Sequence, residues 1–325
     1  MRTINFTQAT VEALDEEMKR DERIFVVGEG IGARGGNFNT TLGLFDKYGS
    51  ERLRDTPISE RGFTTMCTGA AVAGARPIVD FMFSDFMLDA LGDLINQTAK
   101  LQWMSAGRLK MPLVLRGCFG LGGSAAAHHS GYYHTIFMHM PGFRVVMPSN
   151  PYDAKGLFKT SIRSDDPVMF LEHRNIMMVK GEVPEEEYLI PFGQAAIARP
   201  GTDLTVVGLS ITVLKALEAA KTLEKDGISI EVIDPRTVAP LDIETILQSV
   251  KKTGRLLIVD EDYPVCNLGA EVAAQVADKG FDDLDAPIRR LSGKAAPAPY
   301  SQVLEAEMVP TPQTIAQAVR ALMAE

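Results

Sequence analysis

All five histidines of this chain lie between His128 and His173, and four fall in the stretch His128-His129-Ser130-Gly131-Tyr132-Tyr133-His134-Thr135-Ile136-Phe137-Met138-His139. Imidazole chemistry, whether proton transfer or metal ligation, must therefore come from one short region. A zinc helix sets its ligands four residues apart on one face. His129, His134 and His139 are spaced by five, which on a helix turns each by about 140° from the last. That spacing disfavours a metal centre. His129 has a different attraction, because it follows a glycine-rich segment after an apolar run, at the edge where α/β proteins hold ligands.

That segment, Gly117-Cys118-Phe119-Gly120-Leu121-Gly122-Gly123, would let backbone approach a ligand closely, and it equally suits a sharp turn. It lacks the lysine of a phosphate-binding P-loop. A second cluster, Gly30-Ile31-Gly32-Ala33-Arg34-Gly35, has the dinucleotide spacing GxGxxG. A working site of that kind needs a helix opening on the glycines and an acid closing a second strand roughly 20 residues on. Here Gly36-Asn37-Phe38-Asn39-Thr40 reads as loop, and Ser50 to Pro57 is charged. NAD binding is disfavoured.

Glu60 sits in Asp55-Thr56-Pro57-Ile58-Ser59-Glu60-Arg61-Gly62-Phe63, just before a run rich in small residues. Two readings of it stand side by side. It is a first-turn carboxylate favoured by the helix dipole, or a carboxylate in a semi-apolar crevice where desolvation raises its proton affinity and lets it trade a proton.

The elements that must position these groups alternate. Thr7 can cap a helix with Ala9, Val11, Leu14 and Met18 on its apolar side, leading into a strand at Arg23–Val27. Short apolar runs at Pro77–Phe83, Pro112–Leu115, Phe143–Met147 and Val168–Leu171 lack clean alternation, as strands buried on both faces do. Helix-length segments at Asp85–Ser105 and Asp153–Arg163 lie between them. From Lys180 to Pro200 the pattern breaks into an acidic, proline-containing connection. It then resumes with strands at Asp203–Val207, Ser229–Ile233 and Leu256–Val259 and helices at Ile211–Lys225 and Ile243–Lys252. The expected fold is α/β with mostly parallel sheets in two domains, 1–185 and 186–325, without internal repeats.

Length and composition agree. The 325 residues are 46% hydrophobic, enough for two cores, and 33 Lys+Arg against 42 Asp+Glu give a formal charge of −9. An acidic chain is a poor partner for nucleic acid. No run approaches the roughly 18 apolar residues that cross a bilayer, so no membrane partner is expected. Three cysteines, Cys67, Cys118 and Cys266, without a pairing motif indicate a reducing compartment. The N-terminal stretch has no basic, apolar leader. A cytoplasmic location is expected.

Taken together, Val26-Val27-Gly28-Glu29-Gly30, Asp55-Thr56-Pro57-Ile58-Ser59-Glu60, Ile95-Asn96-Gln97-Thr98-Ala99-Lys100, His129-Ser130, Pro141–Val146, Pro151–Leu157 and Ile233-Asp234-Pro235-Arg236-Thr237 form a pattern. The chain resembles, end to end, the beta subunit of the thiamine-diphosphate-dependent component of 2-oxo acid dehydrogenase complexes. The resemblance implies a transketolase-like pyrimidine-binding domain followed by a transketolase C-terminal-like domain. It implies an alpha-two beta-two heterotetramer in which the alpha chain holds the cofactor diphosphate through magnesium and a GDG motif. This chain has no GDG, and Gly92-Asp93-Leu94 is the nearest string, so it would bind only the aminopyrimidine half.

By the same resemblance, Glu60 hydrogen-bonds the pyrimidine ring nitrogen and favours the imino form, which takes the thiazolium proton. His129 orients or protonates the intermediate and assists acyl transfer to the lipoyl arm of an acyltransferase core. Glu29 is a second carboxylate near the pyrimidine, and Phe86 an aromatic packed on it. Leu113, Ser161, Ile162, Ser164 and Asp166 align with a structural potassium site of some members, with Ser164 where an acid is common. The implied substrate is pyruvate or a related 2-oxo acid. Leu171-Glu172-His173 is similar to the acetoin-cleaving relatives, which form the alternative within the enzyme class. A catalytically silent docking scaffold of the same fold is the alternative outside it.

Overall fold

The computed structural model describes residues 1–325, and its contacts divide the chain into two units. Met1–Gly120 with His128–Phe192 forms the first, and Leu121–Ala127 with Gly193–Glu325 the second. The main division thus falls at Phe192/Gly193, just beyond the acidic connection, and one short loop groups with the distant half of the chain.

The first unit opens with β1 (Arg2–Asn5) and α1 (Phe6–Arg20). Asn5, and not Thr7, caps this helix: its side chain accepts the Gln8 N–H at 2.8 Å, and the Gln8 side chain accepts the Asn5 N–H at 2.9 Å. This reciprocal box satisfies two amides that helix geometry would leave unpaired. Thr7 lies within the first turn and donates its hydroxyl to the Met177 carbonyl at 3.2 Å. On the apolar side, Ala13, Leu14 and Met18 pack with Leu157, Phe158 and Ile162 of the helix Pro151–Arg163. Burying each large side chain is worth roughly 1.5–3 kcal/mol. The buried ammonium groups of Lys155 and Lys159 both reach Glu16 at 2.7 Å, so charges taken from water are paired.

Next come β2 (Ile24–Gly28), α2 (Phe45–Arg52), β3 (Leu53–Asp55), α3 (Glu60–Val72), β4 (Arg76–Phe83), β5 (Val114–Phe119), β6 (Arg144–Val146) and β7 (Val168–His173). In the sheet of this unit they run β6-β7-β5-β4-β2-β3, every pair parallel. Gly28 faces Asp55 on one neighbour and Asp80 on the other, and a Cβ at Gly28 would stand 2.3 Å from the Asp80 carbonyl oxygen. Only glycine lets the strands close there. The carboxyl ends of β3, β2, β4 and β5 consequently open side by side.

Two further expectations from local pattern differ from the structure. Asp85–Ser105 is not one helix but a succession of turns: Ser84–Leu88, Leu91–Asp93, a π-helical stretch at Leu94–Thr98, and Leu101–Met104. Its turns are fixed from outside, by Arg61 on Asp93 at 2.9 Å, by the Thr68 hydroxyl on Thr98 at 2.8 Å, and by Gly142 pressed against the Ala99 carbonyl. Such tertiary ties override a helical period. Within Lys180–Pro200, β8 (Lys180–Val183) pairs antiparallel with β1, and β9 (Ala196–Arg199) edges the second sheet. Both partners are remote in sequence, so no local signal marks these strands.

The second unit continues with β10 (Leu204–Gly208), β11 (Ile230–Asp234), the short β12 (Thr237–Ala239), β13 (Leu256–Val259) and β14 (Arg289–Leu291). Its sheet runs β14-β13-β10-β11-β9, parallel except for β9. Val213, Ala216 and Leu223 of the helix Ile211–Leu223 meet Ile315, Val319 and Leu322 of the helix Pro312–Met323 in one core. No helix is long and apolar enough to cross a membrane. All three cysteines are free, and burial pushes the Cys67 thiol up to about 12.

Candidate active site

Loops leaving four adjacent strands of the first unit bring the candidate residues together. Glu29 follows β2, Glu60 opens α3 after β3, Phe83 ends β4 with Phe86 in the turn beyond it, and His129 lies on a short turn, Ala127–His129, beyond β5. Ligands of parallel α/β sheets sit outside this carboxyl edge, because that is where loops and helix N-termini open.

Glu60 is half-buried, and neither it nor Glu29 makes a hydrogen bond or ion pair within the chain. Burial lifts the Glu29 carboxyl above the ordinary glutamate range, and the charge of Glu60 lifts it further. The structure thus places raised proton affinity on Glu29, a residue to which sequence attached only proximity. Two uncommitted carboxyls within electrostatic reach of each other suit a ligand that both donates and accepts protons.

The imidazole of His129 is held by aromatic edges. Its ring centre lies 4.8 Å from Phe83 and 5.5 Å from Phe86, both edge to face, and Phe38 meets Phe83 at 5.1 Å. The Arg174 guanidinium lies over the Phe83 ring at 5.0 Å and donates to the His129 carbonyl. Asp85, beside them, accepts the Gly131 N–H at 3.1 Å and the Tyr133 hydroxyl at 3.3 Å. Burial pushes its carboxyl above the usual range, against those hydrogen bonds and the charge of His129.

Phe83, Asp85 and Arg174 were missed by sequence reading. The position of Ser84-Asp85-Phe86 at the end of a buried apolar run was the available signal for the first two. Nothing local marked Arg174.

The dinucleotide-like glycines serve the chain itself. The Gly32 N–H donates to the Asp55 carboxylate at 3.2 Å, a Cβ there would lie 2.6 Å from Asp55 Oδ2, and the next helix after these glycines begins only at Phe45. The glycines permit close approach to a carboxylate, not to a pyrophosphate.

These residues fit the aminopyrimidine end of thiamine diphosphate: two unspent carboxyls, one with raised proton affinity, on the loops after β2 and β3, which come next in the sheet after β4, the strand that carries Phe83 and leads to Phe86. They do not extend to its diphosphate. Asp93, in the string nearest to GDG, is paired with Arg61 at 2.9 Å.

The residues aligned with a potassium site fit that ion poorly. The Arg76 guanidinium donates to the carbonyls of Ile162 at 3.1 Å and of Arg163 and Ser164 at 2.7 Å. The Leu113 carbonyl accepts the Val168 N–H at 2.9 Å, that of Ser161 accepts the Ser164 N–H at 3.2 Å, and Asp166 pairs with Arg144 at 2.8 Å. Arg76 engages the carbonyls of Ile162 and Ser164, Arg144 the carboxylate of Asp166, and backbone amides the carbonyls of Leu113 and Ser161, so each aligned oxygen already has a partner within the chain. Exchanging potassium for sodium at constant ionic strength is expected to leave the thermal midpoint of the protein unchanged. A midpoint climbing with potassium concentration, the mark of binding to the native state, would contradict this.

Comparison with known proteins places the two units in known families. Residues 2–179 match the family model described as the transketolase pyrimidine binding domain, and residues 193–315 that of the transketolase C-terminal domain. The chain is 43% identical over 324 residues to "2-oxoisovalerate dehydrogenase subunit beta" of Bacillus subtilis, covering 99% of each protein. It is 44% identical to "Acetoin:2,6-dichlorophenolindophenol oxidoreductase subunit beta" of Cupriavidus necator, covering 99% of this chain and 98% of that one. It is also 44% identical to "Pyruvate dehydrogenase E1 component subunit beta" of Rickettsia conorii, covering 98% and 97%. Among solved structures it resembles one titled "Split gene transketolase, inactive beta4 tetramer", with a TM-score of 0.80, 22% identity, and 99% and 98% of the two chains covered. That last likeness concerns the fold alone.

Proposed function

Because the chain belongs to the beta subunits of the thiamine-diphosphate-dependent 2-oxo acid dehydrogenase component, with transketolase-like pyrimidine-binding and C-terminal domains, we propose that it supplies the proton-handling half of a shared cofactor site. The observation that carries this reading is the convergence of Glu29, Glu60, Phe83, Phe86 and His129 at one carboxyl edge, with both carboxylates uncommitted. Thiamine diphosphate, when bound, supplies the nucleophilic carbon and the electron sink that decarboxylation of a 2-oxo acid requires.

In this reading Glu60 holds a proton at a pyrimidine ring nitrogen, and Glu29, kept proton-hungry by burial, limits the negative charge in the crevice. Phe86 and Phe83 exclude water and fix the His129 ring by their edges. His129 then moves a proton as the acyl group passes to a lipoyl arm. An alpha subunit supplies magnesium and the diphosphate cradle in an alpha-two beta-two assembly that serves an acyltransferase core. The free thiols fit a reducing, cytoplasmic setting.

The three relatives named above differ little in identity while their names specify oxoisovalerate, acetoin and pyruvate. A second reading therefore stands beside the first, an acetoin-cleaving enzyme using the same residues. Co-expression with the partner alpha chain, followed by assay of pyruvate, branched-chain 2-oxo acids and acetoin with an artificial electron acceptor, separates them. Turnover of a 2-oxo acid is the expected result. Turnover of acetoin alone would establish the second reading, and no turnover of any would defeat both.

A further inference from the structure

The loop Leu121–Ala127 joins the end of β5 to the turn that carries His129, so its shape sets where the imidazole can stand. Its backbone is unusual. Gly120, Gly122 and Gly123 have φ of 90°, 157° and 66°, and the non-glycine residues Ser124 and Ala126 have φ of 56° and 57°. L residues rarely adopt the left-handed region, and they hold it only where surrounding groups enforce it. At the near end of the loop, Gly120 backs so closely onto His173 that a Cβ would lie 2.1 Å from its Nε2. Beyond the far end, Arg174 holds the His129 carbonyl.

One constraint within the loop is Glu305. This glutamate, 8% exposed on the short helix Gln302–Ala306, accepts the Gly122 N–H on Oε1 at 3.0 Å and the Ser124 N–H on Oε2 at 3.3 Å. The two amides flank left-handed Gly123 and point to one side, the concave arrangement that binds anions. A carboxylate of the chain itself fills it. Both bonds involve a carboxylate acceptor, and both tie the same three residues.

We propose that Glu305 is a positioning residue for His129, acting through the Leu121–Ala127 loop. The proposal rests on the reading that His129 handles a proton in the reaction. Without the carboxylate, two amides lose their acceptor, and Ser124 and Ala126 are free to relax toward ordinary backbone angles. The imidazole, two residues beyond the loop, then loses its fixed approach to the substrate.

The test is a double-mutant cycle in the assembled enzyme with its alpha chain. Glu305→Ala is expected to lower kcat by about 10²-fold, the scale of a misplacement near 1 Å, with KM little changed. In the His129→Ala background the same replacement is expected to cause no further loss, since residues acting as one unit are not additive. Glu305→Gln retains one oxygen acceptor and should fall between, and it replaces the alanine variant in the cycle if that one does not assemble. Undiminished kcat in both Glu305 variants, or losses that multiply with that of His129→Ala, would overturn the proposal. Full activity of His129→Ala by itself would instead overturn the assignment of His129, and the positioning role with it.

Discussion

Replacing Glu60 by glutamine in the assembled enzyme is expected to lower kcat by about 10²- to 10⁴-fold, the usual contribution of a positioned acid–base group. Glutamine preserves the shape of the side chain and removes its exchangeable acid proton. In the structure Glu60 opens α3 without any hydrogen bond or ion pair inside the chain. Its carboxyl is therefore free for a ligand, and its replacement breaks no native contact. Stability should accordingly change by no more than about 1 kcal/mol, the scale of a first-turn carboxylate's interaction with its helix dipole.

The two measurements together discriminate. A fall in kcat at constant thermal midpoint identifies chemistry, and a fall in both would point to misfolding. Unchanged turnover would remove Glu60 from the mechanism and favour the silent docking scaffold.

The largest expected effect on folding comes from Arg116→Met. Arg116 and Glu172, 2% and 1% exposed at their side chains, form a two-pronged pair between β5 and β7, with contacts of 2.5 and 2.8 Å. The guanidinium also donates to the Thr10 hydroxyl at 2.8 Å and the Thr40 carbonyl at 3.1 Å, and lies 5.0 Å over the Phe158 ring. Methionine fills much of the volume but leaves a carboxylate buried without its counter-charge, which costs about 3–5 kcal/mol. Denaturant titration of the protein should show this loss, and adding Glu172→Gln should recover a large part of it.

The pH dependence has a definite sign. Burial pushes the Glu172 carboxyl up, and Arg116 is the charge that opposes this. Without Arg116, the native state of the variant binds a proton that the unfolded chain releases at lower pH. The contribution of Glu172 to its stability is then fully present below the ordinary glutamate range and is lost as pH rises through the raised native value. A variant as stable as the parent at neutral pH would show that the pair is dispensable.

Much of the site was legible in residue types. Glu60 before a small-residue helix, His129 after a glycine loop, and apolar runs too continuous for half-exposed strands all point to ligand chemistry at the edge of a parallel sheet. These signals are local: a strand buried on both faces needs unbroken apolar residues, and a helix start needs a break in that pattern. The resemblance then assigned roles to Glu29 and Phe86 that spacing could not. Less legible were features made by distant partners. Asn5 took the cap from Thr7 because Gln8 could answer it, and Asp85–Ser105 broke into turns because Arg61, Thr68 and Gly142 hold it from outside.

Sequence by itself determined the α/β alternation and the family, and it singled out the carboxylates and the histidine as candidates, because each depends on patterns spanning a few residues. Only the tertiary structure decided that Arg76 takes the Ile162 and Ser164 carbonyls aligned with a cation site, that Arg174 holds the His129 carbonyl with Asp85 bonded to nearby Gly131, and that Glu305 grips the loop before them. Those outcomes depend on which remote groups the sheet order brings within hydrogen-bond range. Range of that kind is a property of three-dimensional packing, and no local pattern of residues encodes it.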